Sequence, residues 1–125
     1  MNLAERDIQA RIMMAISKAG GRVFRNNSGV GWAGKSQRIT KPTTVVLMPG
    51  DVVVRQARPL HAGLGVGSPD LVGWTPGGVF LGIEVKTAKG RATEAQDNWG
   101  SLIRSFGGRS GICRSEDEAV RLMID

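Results

Sequence analysis

The 125 residues include a single cysteine and a single histidine. A lone Cys113 excludes an internal disulfide and a cysteine-rich zinc site. Its setting, Gly111-Ile112-Cys113, reads as a small buried thiol rather than a nucleophile. Any Ser-His or Cys-His mechanism would have to use His61, yet no nucleophile-elbow pattern accompanies it. His61 reads as a loop histidine. No apolar run approaches the roughly 20 residues of a membrane span, which points to no membrane partner. The N-terminus, MNLAERDIQARI, has acids where a secretory signal has a basic and then an apolar segment, so the expected location is cytoplasmic. No internal repeat is evident, and the 18 glycines gather in loops rather than in a low-complexity tract.

What the sequence does have is positive charge, unevenly spread. The net charge is +6, from 17 Lys and Arg against 11 Asp and Glu. Residues 1–60 hold ten basic residues against three acids, and residues 61–125 hold seven against eight. A basic half beside a carboxylate-bearing half suits a polyanion-binding surface next to a metal site. An ordinary basic surface would carry the same charge, so charge proposes nucleic acid without establishing it.

Hydrophobic periodicity outlines the elements. Leu3, Ile8, Ile12, Ala15, Ile16 and Ala19 share one face of a helix over 3–19, which Gly20-Gly21 ends. Arg22 to Arg25 reads as a short strand and Asn26 to Gly34 as a polar loop. Residues 43–57 (TTVVLMPGDVVVRQA) predict a β-hairpin around Pro49-Gly50-Asp51. Two further strands are expected near 70–74 and 79–86. A helix over 94–106 has apolar positions Ala95, Trp99, Leu102, Ile103 and Phe106. Ser110 to Arg114 reads as a strand, and Ser115 to Ile124 as a helix opened by the capping-box pattern Ser-Glu-Asp-Glu. The expectation is one α/β domain over 1–125, a mixed β-sheet flanked by helices, with an inserted basic hairpin arm at about 32–60.

The stretch GSPDLVGWTPGGVFLGIEVK (67–86) carries three charges in two apolar strands, where an unpaired buried charge is costly. Glu84 and Lys86 are two apart and share a strand face, opposite Val85, Ile83 and Leu81. A half-exposed strand would show the same pattern. Asp70 sits across the hairpin: an even loop pairs it with Ile83, an odd loop or a bulge with Glu84. Only the second register sets both carboxylates on one face. They would then repel unless a cation lay between them, and a hard, oxygen-binding ion such as Mg²⁺ or Mn²⁺ would resolve the repulsion. Lys86 is placed to meet a phosphate or to orient an attacking water.

Pro69-Asp70 followed by Glu84-Val85-Lys86 resembles the PD-(D/E)xK nuclease signature. Gly67-Ser68-Pro69-Asp70-Leu71, Ile83 to Lys86, Gly90-Arg91 and Gln96 narrow the resemblance to the VRR-NUC branch. An early helix with Glu5 and Gln9, and Arg25-Asn26-Asn27-Ser28-Gly29, also fit. The resemblance implies a restriction-endonuclease-like fold and metal-dependent hydrolysis of DNA phosphodiesters. It implies Asp70, Glu84, the Val85 carbonyl and Glu5 as ligands of Mg²⁺ or Mn²⁺, Lys86 as the catalytic lysine, and Gln96 as a supporting member of the same catalytic site. Small stand-alone members resemble Holliday junction resolvases of bacteria or phages and would act as homodimers. Arg25, Lys35, Arg38, Lys41, Lys89 and Arg91 are the expected contacts to DNA phosphates. Trp32 is placed to stack on a base, whereas Trp74 and Trp99 are expected in the core. Glu5 and Gln96 also stand at capping-box positions after Asn2 and Thr93. The alternative is a non-catalytic DNA-binding module on the same fold.

Overall fold

Ile8, Ile12 and Ile16 recur every four residues, so a helix through them buries one continuous stripe. That helix is α1 (Glu5–Lys18), and Gly20, at φ 96°, takes the left-handed turn that ends it. The chain continues as β1 (Arg22–Arg25), β2 (Gly29–Val30), β3 (His61–Ala62), β4 (Leu71–Trp74) and β5 (Phe80–Val85). Helix α2 (Glu94–Ser105), strand β6 (Arg109–Cys113) and helix α3 (Glu116–Ile124) complete it. The computed structural model describes residues 4–27, 29–30 and 35–125. Asn2, Leu3, Ser28 and Trp32 lie outside the described residues.

The main sheet has the order β1-β4-β5-β6, antiparallel up to β5 and parallel between β5 and β6. A mixed sheet between helical layers is the expected restriction-endonuclease-like architecture. One face buries Val23, Leu71, Leu81, Ile83, Val85 and Cys113 against α1 and α3. Alternate strand positions point to the other face, where α2 covers β5 and β6. At Gly82 a side chain would meet Pro69 Cγ at 2.8 Å and Ile103 Cδ1 at 2.9 Å. Glycine there lets α2 and the loop before β4 lie close on the sheet.

Strand and helix ends match the sequence expectations to within a residue or two, with four departures. The first is the 43–57 hairpin, whose strands do not form. Its turn does: Asp51 N donates to the Met48 carbonyl (3.0 Å), and Met48 N donates to Asp51 Oδ2 (2.7 Å). Apolar residues in consecutive runs give no single face to bury, and a lone two-stranded hairpin is marginal in water. Val46 and Val52 are accordingly 84% and 85% exposed.

The second departure is His61, expected in a loop, which lies in a two-residue strand pairing with Gly29–Val30, itself expected within the Asn26–Gly34 loop; His61 remains exposed. The third is Trp74, half exposed rather than in the core, because among the described residues no helix packs closely on its side of β4. Finally, α2 buries Ile103 while Leu102 and Phe106 face outward. Its buried stripe is narrower than its apolar residues suggest.

Candidate active site

The 71–85 hairpin pairs Leu71 with Ile83 and Trp74 with Phe80, leaving five residues, Thr75 to Val79, between the ladders. The loop is odd, so Asp70 falls opposite Glu84 and both carboxylates share the α2 face. A half-exposed strand is excluded, because Glu84 retains only 6% of its surface. Each carboxylate is held by the backbone or a neighbour. Val85 N donates to Asp70 Oδ2 (2.9 Å), and Gln96 Nε2 donates to Glu84 Oε1 (2.8 Å). Lys86 Nζ stands 3.9 Å from the same Oε1.

Glu84 Oε2 is buried and, among the described residues, has no hydrogen-bond partner. Burial is the main cause of a Glu84 pKa pushed up from 4.5 to about 8. The nearness and negative charge of the Asp70 carboxylate raise it further, Lys86 opposes the rise, and Glu5 adds to it. A buried carboxylate whose second oxygen lacks a donor, facing another carboxylate, is a donor set suited to a hard cation. The site therefore fits a divalent metal bound through oxygen.

Several residues outside the expected set shape the site. Asn26 Nδ2 donates to Ser68 Oγ and to the Pro69 carbonyl, both at 2.8 Å, while its Oδ1 accepts from Leu64 N (3.1 Å). Asn26 N also donates to the Asp70 carbonyl (2.8 Å). One side chain thus ties down the loop that delivers Asp70. Trp99 Nε1 donates to the Val66 carbonyl (3.1 Å), anchoring the same loop to α2 rather than filling the core. On the other flank, Arg114 donates to the carbonyls of Thr87 and Gly90 and fixes the turn after Lys86. Asn26 was visible only as part of a motif, and Arg114 only as a strand residue. Bonds from side chains to distant carbonyls leave no periodic trace in sequence.

Gln96 completes a capping box and also reaches Glu84. Its Oε1 accepts from Thr93 N and its backbone N donates to Thr93 Oγ1, completing the capping box, while Nε2 turns to Glu84. Glu5 occupies the first turn of α1 behind Ala4, a cap with no side-chain bond, so it is not the third residue of a capping box. Its charge is felt at Glu84. Among the described residues, however, no three Asp, Glu, His or Cys side chains converge as a metal cluster. Arg25 donates to Gln9 Oε1 (3.3 Å), which directs it toward α1. Lys35, Arg38, Lys41, Lys89 and Arg91 are exposed on the surface. Cys113 is buried, and burial pushes its thiol up to about 12, which leaves it without thiolate at neutral pH.

A cleft of about 230 Å³ between α2 and β6 reaches Glu84, with Gln96, Asp97 and Arg104 along its wall. The VRR-NUC domain family matches residues 3–117 of the chain. No curated protein and no solved structure matches it.

Proposed function

The chain belongs to the VRR-NUC family, a nuclease family of the PD-(D/E)xK superfamily, and from that premise we propose that it is a metal-dependent DNA endonuclease acting through Asp70, Glu84 and Lys86. The observation that carries this reading is the partnerless, buried Glu84 Oε2 opposite Asp70. Asp70 and Glu84 would hold Mg²⁺ or Mn²⁺, with the Val85 carbonyl and Glu5 as further expected ligands. When bound, the cation supplies Lewis-acid stabilisation of charge developing on the phosphate.

The chain's own residues do the rest. Val85 N and Gln96 Nε2 hold the two carboxylates in place, so neither reorganises as charge builds. Lys86, largely buried beside Glu84, places its ammonium where a scissile phosphate or its attacking water would lie. In hydrolysis the water oxygen bonds to phosphorus, the bridging P–O bond breaks, and the departing oxygen leaves with a proton. Exposed Lys35, Arg38, Lys41, Lys89 and Arg91 are the proposed contacts to flanking phosphates. We take the preferred substrate to be a branched junction and the acting form to be a homodimer, since two sites related by a two-fold can cut two strands symmetrically.

The test is cleavage of a labelled four-way junction and a matched linear duplex in Mg²⁺, Mn²⁺ or EDTA, by wild type, Asp70→Ala and Lys86→Ala. Metal-dependent cutting of the junction, lost in both variants, is the expected result. Equal cutting of the duplex would remove the junction preference but keep the chemistry. Binding without cutting in either metal would overturn the nuclease reading in favour of a DNA-binding module.

A further inference from the structure

The sheet face that carries Asp70 and Glu84 is only half covered. Helix α2 packs on β5 and β6, and α1 and α3 occupy the opposite face, so among the described residues no helix packs closely over β1 and β4 on this side. Strand alternation brings Arg22 and Phe24 of β1 and Val72 and Trp74 of β4 to that open face. Phe24 and Trp74 are each 50% exposed, with ring centroids 5.7 Å apart and planes tilted by 57°. Arg22 stands directly across the ladder from Trp74, exposed, and among the described residues no acid pairs with it.

Burial does not explain two large aromatics here, because the neighbouring Val23 already serves the core from the other face. Even with Phe80, which is 42% exposed across the ladder from Trp74, three part-exposed rings offer less than the roughly 800 Å² per partner of an ordinary protein interface, so a second copy of the chain is a poor occupant. Aromatic faces beside a cation suit a different ligand: nucleobases that stack on the rings while a phosphate meets the guanidinium. Only unpaired nucleotides offer free base faces. The location agrees with this, since Trp74 is four residues from Asp70 along β4, roughly 13 Å at about 3.3 Å per residue. That is the reach of about two unstacked nucleotides.

We propose that Phe24, Trp74 and Arg22 form a docking site for unpaired nucleotides next to the scissile phosphate, the rings taking bases and Arg22 a phosphate. The site rests on the nuclease reading above and gives it a substrate class: DNA with a single-stranded segment or an open branch beside the cut.

The experiment is equilibrium binding of the full chain, in EDTA so that nothing is cut, to a blunt duplex, the same duplex with a short thymidine tail, and one with an abasic tail. Wild type is expected to prefer the thymidine tail to the blunt end and to the abasic tail by about tenfold. Trp74→Leu or Phe24→Leu should erase that preference, and Trp74→Phe should restore most of it. The thymidine tail should also quench wild-type tryptophan fluorescence more than that of Trp74→Phe, a readout that does not depend on the leucine variants folding. An abasic tail bound as well as the thymidine tail would overturn the proposal. So would conversion of a dimer to monomer by Phe24→Leu, which would make the patch a subunit contact. Absence of cleavage in Mg²⁺ or Mn²⁺ with the tail preference intact would overturn the nuclease reading alone.

Discussion

Ionising Glu84 costs the folded protein more than it costs the unfolded chain, because burial and the neighbouring Asp70 both oppose the charge. With a folded pKa near 8 against 4.5, the folded state retains a proton that the unfolded state has lost throughout that interval. Stability in EDTA should therefore fall as pH rises from about 4.5 to about 8, by a few kcal/mol in total. Thermal melting across that range would read the slope, and Glu84→Gln should flatten most of it. Mg²⁺ or Mn²⁺ added at pH 8 should raise the wild-type Tm more than that of Glu84→Gln. A wild-type melting point indifferent to pH would mean that Glu84 Oε2 is solvated after all. For Cys113, whose thiol is pushed up to about 12, alkylation at pH 8 should be slow in the native protein and fast in denaturant.

At the scale of single elements, the first turn of α2 both caps the helix and reaches Glu84 in the candidate site. Gln96→Glu keeps the oxygen that caps Thr93 N but replaces the amide donor to Glu84 with a repelling charge. It should hold the helix while lowering metal affinity and cleavage, whereas Gln96→Ala should also lose about 1 kcal/mol of cap stability. Metal titration and thermal melting of the two variants separate these effects. The loop before β4 makes a second such link. Gly67 has φ 82°, and an added Cβ would lie 2.6 Å from that of Ala95. Gly67→Ala should cost about 2 kcal/mol or more and loosen Asp70. An unchanged melting point would show that the loop can shift away from α2. β5 was legible in sequence because Leu81, Ile83 and Val85 alternate with Glu84 between turn residues, and α1 because its isoleucines repeat every four. The exposure of Leu102, Phe106 and Trp74 was not legible, since periodicity marks an apolar face but not whether a neighbour covers it.

Across the whole molecule, the basic half and the carboxylate site call for separate tests. Lys35, Arg38 and Lys41 are exposed on a segment without regular structure, so replacing all three with alanine should leave the Tm essentially unchanged. If they meet DNA phosphates, the slope of log affinity against log salt should become shallower by up to about 3. An unchanged slope would remove this segment from the DNA contact. Sedimentation across a range of concentrations tests the proposed homodimer. The apolar run from Val45 to Val54 shows why sequence alone overreached there. Its composition favours strands, but strands persist only where a sheet or an apolar face receives them, and the described fold supplies neither.

Local patterns were enough to specify the residue types of the candidate site, their spacing and the order of the elements, because these depend on periodicity and on a motif confined to one hairpin. Packing settled the rest. It chose the register that sets Asp70 against Glu84, buried Glu84 and left one of its oxygens without a partner. It brought Gln96, Asn26 and Arg114 to the site from three separate parts of the chain. It also left Phe24 and Trp74 open on the same face. Those outcomes depend on which surfaces meet across the sheet, and contacts between residues far apart in the chain are fixed by packing rather than by any local pattern.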